Sequence, residues 1–396
     1  MTKLTKVLRI IIGVLLILAA LVPVVLAAGD NFTYAVSVTV DSSQVPSTLT
    51  DYPLMVNGTL SELATTANGG YIENTVNTGG ATGDLTTPAD FDVGTDENCN
   101  TVIPYEWEDW DATTGEFTLH TKISSLSSSS DTVLYLCFGN SGVITSAENV
   151  TGVWDSSYKM VQHLNKSSGA PAHFRDSTTN NFDLEITGAT AGVSGAVGLA
   201  AEFDGVDDHA RKGSVVVSSL PMTVTAWVNQ DVAANGDILS IANSGVEQDY
   251  YQMRLNLAAP EVRQRNGASG PALSTTTLTA GNWNRVTGVY GSNSSRSVYL
   301  NASVEDTNTD SILTPDGLNV TALGVLYRLS KAGYFDGVID EVRISNIVRS
   351  DDWLLTSYRN QSDPASFLTV GTVYEVSGTP AVVMADHTVT ISAAEE

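Results

Sequence analysis

Tyr334-Phe-Asp-Gly-Val-Ile-Asp-Glu-Val-Arg-Ile344 carries an alternation that specifies the fold class. Val338, Val342 and Ile344 share one parity, and Asp340 shares it with them. Side chains on a strand point alternately to opposite faces, so the spacing predicts a strand with one buried face. The same two-residue period recurs in Tyr34-Ala-Val-Ser-Val-Thr-Val40, Thr132-Val-Leu-Tyr-Leu-Cys-Phe138 and Met222-Thr-Val-Thr-Ala-Trp-Val228. Residues 286–290 and 297–304 repeat it on either side of Gly291-Ser-Asn-Ser-Ser-Arg296, a polar turn cluster, and predict a hairpin. Short alternating runs bounded by Gly, Asn, Asp and Ser, with almost no helical period between them, predict an all-β chain built of antiparallel sandwiches.

The first 28 residues differ from this body. Lys3, Lys6 and Arg9 precede an uncharged apolar run from Ile10 to Ala28 that contains Pro23 and ends in small residues. Such a segment is expected to be a signal peptide, or a hydrophobic anchor helix, since its length approaches that of a membrane span. Either reading exports residues from Gly29 onward and confines membrane contact to the N-terminal segment. The expected location is therefore secreted or cell-surface.

With 396 residues, two domains are the natural division. The formal net charge is −25, which repels nucleic acid and anionic lipid and suits solubility, salt tolerance or cation binding. The boundary is expected near 142–155, where the strand ending at Phe138 runs into Gly139-Asn-Ser-Gly142. The division is then a signal or anchor over 1–28, a β-sandwich over 29–145, a second sandwich over 146–371, and a C-terminal β tail or linker over 372–396. Cys99 and Cys137 both fall in the first sandwich, where an exported protein permits a disulfide. No CxxC occurs and the five His are scattered, so no zinc-binding spacing is present. Eight Asn-x-Ser/Thr sequons permit glycosylation.

The second sandwich resembles the LamG-like, concanavalin A-type lectin/glucanase jelly rolls. The residues that carry the resemblance are Ala200-Ala-Glu-Phe-Asp-Gly-Val-Asp-Asp208, Thr223-Val-Thr-Ala-Trp-Val228, Asn282-Trp-Asn-Arg-Val-Thr-Gly-Val-Tyr290, Ser297-Val-Tyr-Leu-Asn301 and the 334–344 stretch, in family order. The first sandwich resembles a domain of unknown function that precedes such jelly rolls in exported prokaryotic proteins. Its carriers are Tyr52-Pro-Leu-Met-Val56, Ile103-Pro-Tyr-Glu-Trp-Glu-Asp-Trp-Asp111 and Val133-Leu-Tyr-Leu-Cys-Phe-Gly-Asn140. Residues 68–88 look like an insertion, His209 stands where an aromatic is commoner, and Leu300-Asn-Ala302 lacks the usual Gly. The resemblance implies surface display, adhesion or glycan binding.

Related jelly rolls often bind calcium between their first and last strands, and the matching acids here are Asp204 or Asp207 with Asp340. Calcium takes carboxylate and carbonyl oxygens, and it would compensate a carboxylate placed among apolar neighbours. The alternative is that Asp340 accepts hydrogen bonds from backbone N–H groups or an arginine, and that Asp204-Gly205 is a tight turn. Trp107 and Trp110, in the polar setting Glu106-Trp-Glu-Asp-Trp-Asp111, are candidates for stacking on a sugar ring, as are Tyr250 and Tyr251 at a strand edge. Trp227 and Trp283 alternate with apolar residues and are expected in the core.

Enzymatic function is not expected. Glucanases of this fold carry Glu-x-Asp-x-x-Glu or Glu-x-Asp-x-Glu on one strand face, and neither spacing occurs. Glu106, Glu108 and Asp109 are the nearest substitute and lie in the other domain. His120, His163, His173 and His209 lack local partners. The sequence thus points to a surface protein that recognises glycan or another surface macromolecule. A structural or assembly component of a cell surface or virion is the alternative, and an extracellular carbohydrate-active enzyme is the weaker one.

Overall fold

A computed structural model describes residues 32–77, 85–168 and 172–376. The expected signal or anchor segment lies outside the described residues, as do residues 377–396 of the expected tail. Among the described residues no helix is long and apolar enough to cross a membrane.

The chain is all-β, with two antiparallel sandwiches. In the first, Leu368–Val370, Tyr34–Val40, Thr132–Phe138 and Phe91–Gly94 form one sheet in that order. Leu49–Thr59, Glu116–Leu126 and Tyr105–Trp110 form the facing sheet. Val36, Val38, Leu134 and Leu136 pack from one sheet against Leu54, Val56, Trp107 and Leu119 from the other. These are the alternate residues that the two-residue period selects. Cys99 and Cys137 are bridged at the edge of this sandwich.

The second sandwich is a jelly roll of two larger sheets. One runs Thr190–Ser194, Leu199–Asp204, Asp336–Ser345, Met222–Gln230, Asn284–Ser292, Ser295–Leu300 and Ser303–Asn308, with Tyr158–Gln162 also paired to Asp336–Ser345. The facing nine-stranded sheet has Val320–Leu323, Gly236–Ala242, Asp249–Asn256 and Ala259–Asn266 at its middle. Phe203, Val224, Ala226, Ile339, Val342 and Ile344 meet Leu239, Ile241, Met253 and Leu323 in the core. The 200–208 and 334–344 segments are neighbours, with Ala201 opposite Ile339 and Asp204 opposite Asp336.

One irregularity aims the functional side chains. Between Thr225 and Trp227 the partner strand jumps from Arg343 to Asp340, a bulge in which Glu341 takes φ 51°. The extra residue resets the alternation. Ile339, Val342 and Ile344 face the jelly-roll core, whereas Asp340, Glu341 and Arg343 are buried outside it. This corrects the expectation that Asp340 shares a face with Val342 and Ile344: an unbroken period was assumed across the bulge.

The expected jelly-roll span of 146–371 is divided in its packing. After the last jelly-roll strand the chain forms the helix Asp351–Ser362, and Leu368–Val370 then returns to the first sandwich, pairing with Val38–Val40. Ser350 caps the helix by accepting from Trp353 N at 3.2 Å, with Asp351 and Asp352 in the first turn, where the helix dipole favours negative charge. Trp353 packs edge-on to Tyr52, and the Asn360 amide bonds both the N–H and the C=O of Met55 at 2.8 Å. An amide carries one acceptor and two donors, so it completes a backbone pair that a strand would otherwise fill. Trp154, Tyr158, Val161, Trp353 and Phe367 join the first core for the same reason: the two sandwiches share apolar surface. Tyr374–Glu375 adds a short β tail on Tyr34–Ala35.

Candidate functional site

The four aromatic residues expected to stack on sugar are all buried. Trp107 packs among Phe91, Tyr105 and Phe117, and Trp110 donates its indole N–H to Leu63 O at 3.0 Å. Tyr251 lies edge-on to Tyr290 within the jelly-roll core, and Tyr250 accepts from Arg265 Nη1 at 3.2 Å. None of the four offers a face to a ligand. The polar setting of Trp107 misled because that strand is buried on both faces: Trp107 enters its own core, and Glu106 and Glu108 point at the second sandwich.

The expected calcium ligands do not assemble. Asp204 pairs with Asp336, and Asp340 lies four residues farther along the same strand, roughly 13 Å away at about 3.3 Å per residue. Asp204 Oδ1 instead accepts from the N–H groups of Val206, Asp207 and Asp208, which hold its carboxyl below the usual range. Asp340 Oδ2 accepts from Val197 N at 2.9 Å, the hydrogen-bond alternative. Asp204, Asp207 and Asp208 do lie together, on a largely exposed turn.

A groove of about 520 Å³ opens on the jelly roll where the 274–283 loop meets the hairpin at Asn301-Ala302. Both hairpin residues take positive φ, 51° and 64°, so the turn forms without the usual Gly. Half-buried Trp283 lines the groove with Asn282, Asn284, Asn301 and exposed Thr276, Thr277 and Thr279. Asn301 is fixed by accepting from Arg285 N at 2.9 Å and donating to Asn284 Oδ1 at 3.1 Å. Trp283 was expected in the core; it stays half-buried because the strand begins only at Asn284. A second groove, of about 270 Å³, is charged, with Arg175, Asp183, Glu185, Arg211 and Lys212 along it and an Arg175–Asp183 ion pair at 2.7 Å.

The third feature is a polar centre sealed between the sandwiches. Glu106 and Glu108 come from Tyr105–Trp110, and His120 from the adjoining Glu116–Leu126. His163 follows Tyr158–Gln162, and Asp340, Glu341 and Arg343 come from the bulged strand. All seven are buried. His120 Nε2 lies 2.8 Å from Glu108 Oε2, and the His120 and His163 rings stack at 4.8 Å. His163 Nδ1 contacts Glu341 Oε1, and its Nε2 lies 3.2 Å from Glu106 Oε1. Glu341 Oε2 accepts from Arg343 Nε and from Gln361 Nε2, both at 2.9 Å. Trp154 Nε1 donates to Glu106 Oε2 at 2.7 Å.

Burial pushes the Glu108 and Asp340 carboxyls well up, and the charge of Glu341 adds to this. Burial would also raise Glu341, but Arg343 and His163 outweigh it and hold Glu341 well below the carboxylate range. Burial holds His120 well down, as a neutral imidazole. It opposes the charge on His163 too, yet Glu341 and Glu106 raise that imidazole well above its usual value. Sequence reasoning missed His120 and His163 because their partners are long-range. The available signal was Glu at alternate positions 106 and 108 in a strand whose other residues are core.

Residues 204–354 match the family model of the concanavalin A-like lectin/glucanases superfamily. No curated protein matches. Among solved structures, the chain is similar to domain 4 of the extracellular arabinanase AbnA from Geobacillus stearothermophilus in complex with arabinotriose. That match has 20% identity over 51% of this chain and 98% of that one, with a TM-score of 0.39. It is also similar to the botulinum neurotoxin serotype D ligand binding domain in complex with N-acetylneuraminic acid (12% identity, 54% of this chain, 53% of that one, TM-score 0.39). A third is the binding domain of Paraclostridial Mosquitocidal Protein 1 (13% identity, 51% and 52%, TM-score 0.40). The chain spans about half the length of the two toxin domains.

Proposed function

We propose that this is an exported surface protein whose jelly roll binds glycan in the groove around Trp283. The observation that carries the reading is the groove's lining: one half-buried indole beside a row of amides and hydroxyls. Sugar rings have an apolar face and a rim of hydroxyls, so an aromatic plate flanked by fixed donors and acceptors suits them. Asn301 and Asn284 are already held by other hydrogen bonds, which lowers the ordering cost of binding. The Cys99–Cys137 bridge and the apolar segment from Ile10 to Ala28 support an extracellular location. The net charge of −25 argues against a nucleic-acid partner.

We assign no reaction to it. Of the carboxylates that lie close together, Glu106, Glu108, Asp340 and Glu341 are sealed between the sandwiches, where a glycosidic bond has no access, and in the largely exposed group of Asp204, Asp207 and Asp208 the Asp204 Oδ1 is taken up by three backbone N–H groups. The test is a glycan array probed with the wild-type chain and with Trp283→Ala. Loss of an interface aromatic of this kind costs about 2 kcal/mol or more, roughly a 30-fold weakening. An array with no ligand above background, or equal binding by Trp283→Ala, would sink the reading.

A further inference from the structure

The sealed centre contains a polarity problem that hydrogen bonds within the chain do not solve. Glu108 Oε1 and His120 Nδ1 have no hydrogen-bond partner, and His163 Nε2 meets only Glu106 Oε1, at 3.2 Å, although all three residues are buried. Orphaned polar atoms in a protein interior are costly and call for an explanation. The four acids here outnumber Arg343 and His163, the groups beside them that carry positive charge, so without a further cation acids must keep protons or leave negative charge buried.

The arrangement of the donors answers the charge problem. One ligand atom from each of Glu108, His120, His163 and Glu341 lies within 4.8 Å of the other three. Ligand atoms held at about 2.0–2.2 Å from one tetrahedral ion stand ~3.5 Å apart, so closure of about an ångström takes this set to a coordination shell. We infer that Glu108, His120, His163 and Glu341 hold one divalent transition-metal ion of zinc's class, which ties the two sandwiches together.

Four observations fit that ion. Two imidazoles exclude calcium and magnesium, which take oxygen ligands, and an N₂O₂ set suits zinc. Two neutral imidazoles and two carboxylates balance a dication. Glu341 Oε2 is held by Arg343 and Gln361, which leaves Oε1 turned to the set. Glu106 stands 3.2 Å behind His163 Nε2, in the carboxylate–histidine–metal arrangement that orients a ligating ring. The ligands divide evenly: Glu108 and His120 belong to the first sandwich, whereas Glu341 lies in a strand of the jelly roll's sheet and His163 directly follows another. The burial of all four makes the ion a structural clamp rather than a catalytic centre. The site is separate from the Trp283 groove, and its fate does not depend on glycan binding.

The test refolds the full chain from denaturant without reductant, once with chelator and once with Zn²⁺. Metal content should reach one zinc per chain, and thermal unfolding should shift upward by roughly 5 °C or more at zinc well above its dissociation constant. Co²⁺ in place of zinc should give visible absorption bands. His120→Gln and Glu108→Gln should lose both the shift and the bands, while Asp207→Asn keeps them. Equal melting in zinc and chelator, with no metal retained by natively folded protein, overturns the inference. So does a Gln variant that keeps the full shift. If the Gln variants do not fold, the wild-type pair of refolding reactions decides by itself.

Discussion

Two groups of acids sit along one pair of strands and meet water differently. Asp204 and Asp207 are exposed on a turn at one end, beside the more buried Asp208, and Asp204 takes three backbone N–H groups from the next four residues. Asp340 and Glu341 lie four and five residues beyond Asp336, under the first sandwich, and their partners come from Val197, His163, Arg343 and Gln361. An exposed carboxylate can be satisfied by its own loop or by water. A buried one needs side-chain partners: Glu341 takes Arg343, His163 and Gln361, and through His163 the set reaches Glu106 and Glu108 of the first sandwich. The difference is one of solvation, and it ranks what each group contributes to the fold.

The largest effect should come from breaking the buried pair. The Arg343 and Glu341 side chains are 5% and 1% exposed, so Arg343→Met leaves a buried carboxylate with only His163 and Gln361. Removing one partner of a buried ion pair costs about 3–5 kcal/mol. Denaturant unfolding of Arg343→Met should show a loss of that order, and the double variant with Glu341→Gln should recover part of it. A single variant within about 0.5 kcal/mol of wild type would mean that Glu341 reaches water, and the contrast with Asp204 would fail.

Asp237 sharpens the comparison, because it is buried in the jelly roll away from the interface. Burial raises its carboxyl to about 7, against the hydrogen bond from Gln252. Below its ordinary value near 3.8 the folded and unfolded states both hold the proton, and Asp237 contributes nothing to the pH dependence. Between there and about 7 the unfolded chain ionises first, so stability falls as pH rises, and it levels off above. The whole window amounts to roughly 4 kcal/mol. Asp237→Asn should flatten this part of the stability–pH curve and be relatively more stable at pH 8 than at pH 4. Parallel curves for the two proteins would show that the carboxyl is not protonated in the fold.

The legible part of this molecule is what local periodicity specifies. Residues 334–344 and 200–208 are read as neighbouring strands of one sandwich, and they pair from Ala201–Ile339 to Asp204–Asp336. The hairpin around Gly291–Arg296 also forms, with Val286 opposite Leu300. The bulge at Glu341 is not legible, because no Gly or Asn marks its left-handed φ, and its effect is to reverse the face that Asp340 presents. Nor is the sealed centre, since 43 residues separate His120 from His163 and neither has a partner nearby in sequence. Trp283 was assigned to the core from alternation alone, but alternation does not say where a strand starts. The aromatics at 107, 110, 250 and 251 show the converse: polar neighbours in sequence face a second buried surface, not water.

The smallest effect is expected at Asp204. Its side chain holds a turn, and water stands ready to replace it there, so Asp204→Asn should lower the melting temperature less than Arg343→Met does. An Asn oxygen can still accept from Val206, Asp207 and Asp208 N–H groups, so the substitution removes the charge and keeps the turn's acceptor. Calcium provides the discriminating measurement. With Asp340 some four residues from the turn's partner Asp336, the three turn carboxylates lack a buried fourth ligand, and the backbone N–H groups already occupy Asp204 Oδ1. Millimolar Ca²⁺ added to chelator-treated protein should therefore leave the melting curve of wild type and Asp204→Asn alike unchanged. A calcium-dependent rise in wild type that Asp204→Asn abolishes would restore the exposed turn as a cation site and erase the ranking between the two groups of acids.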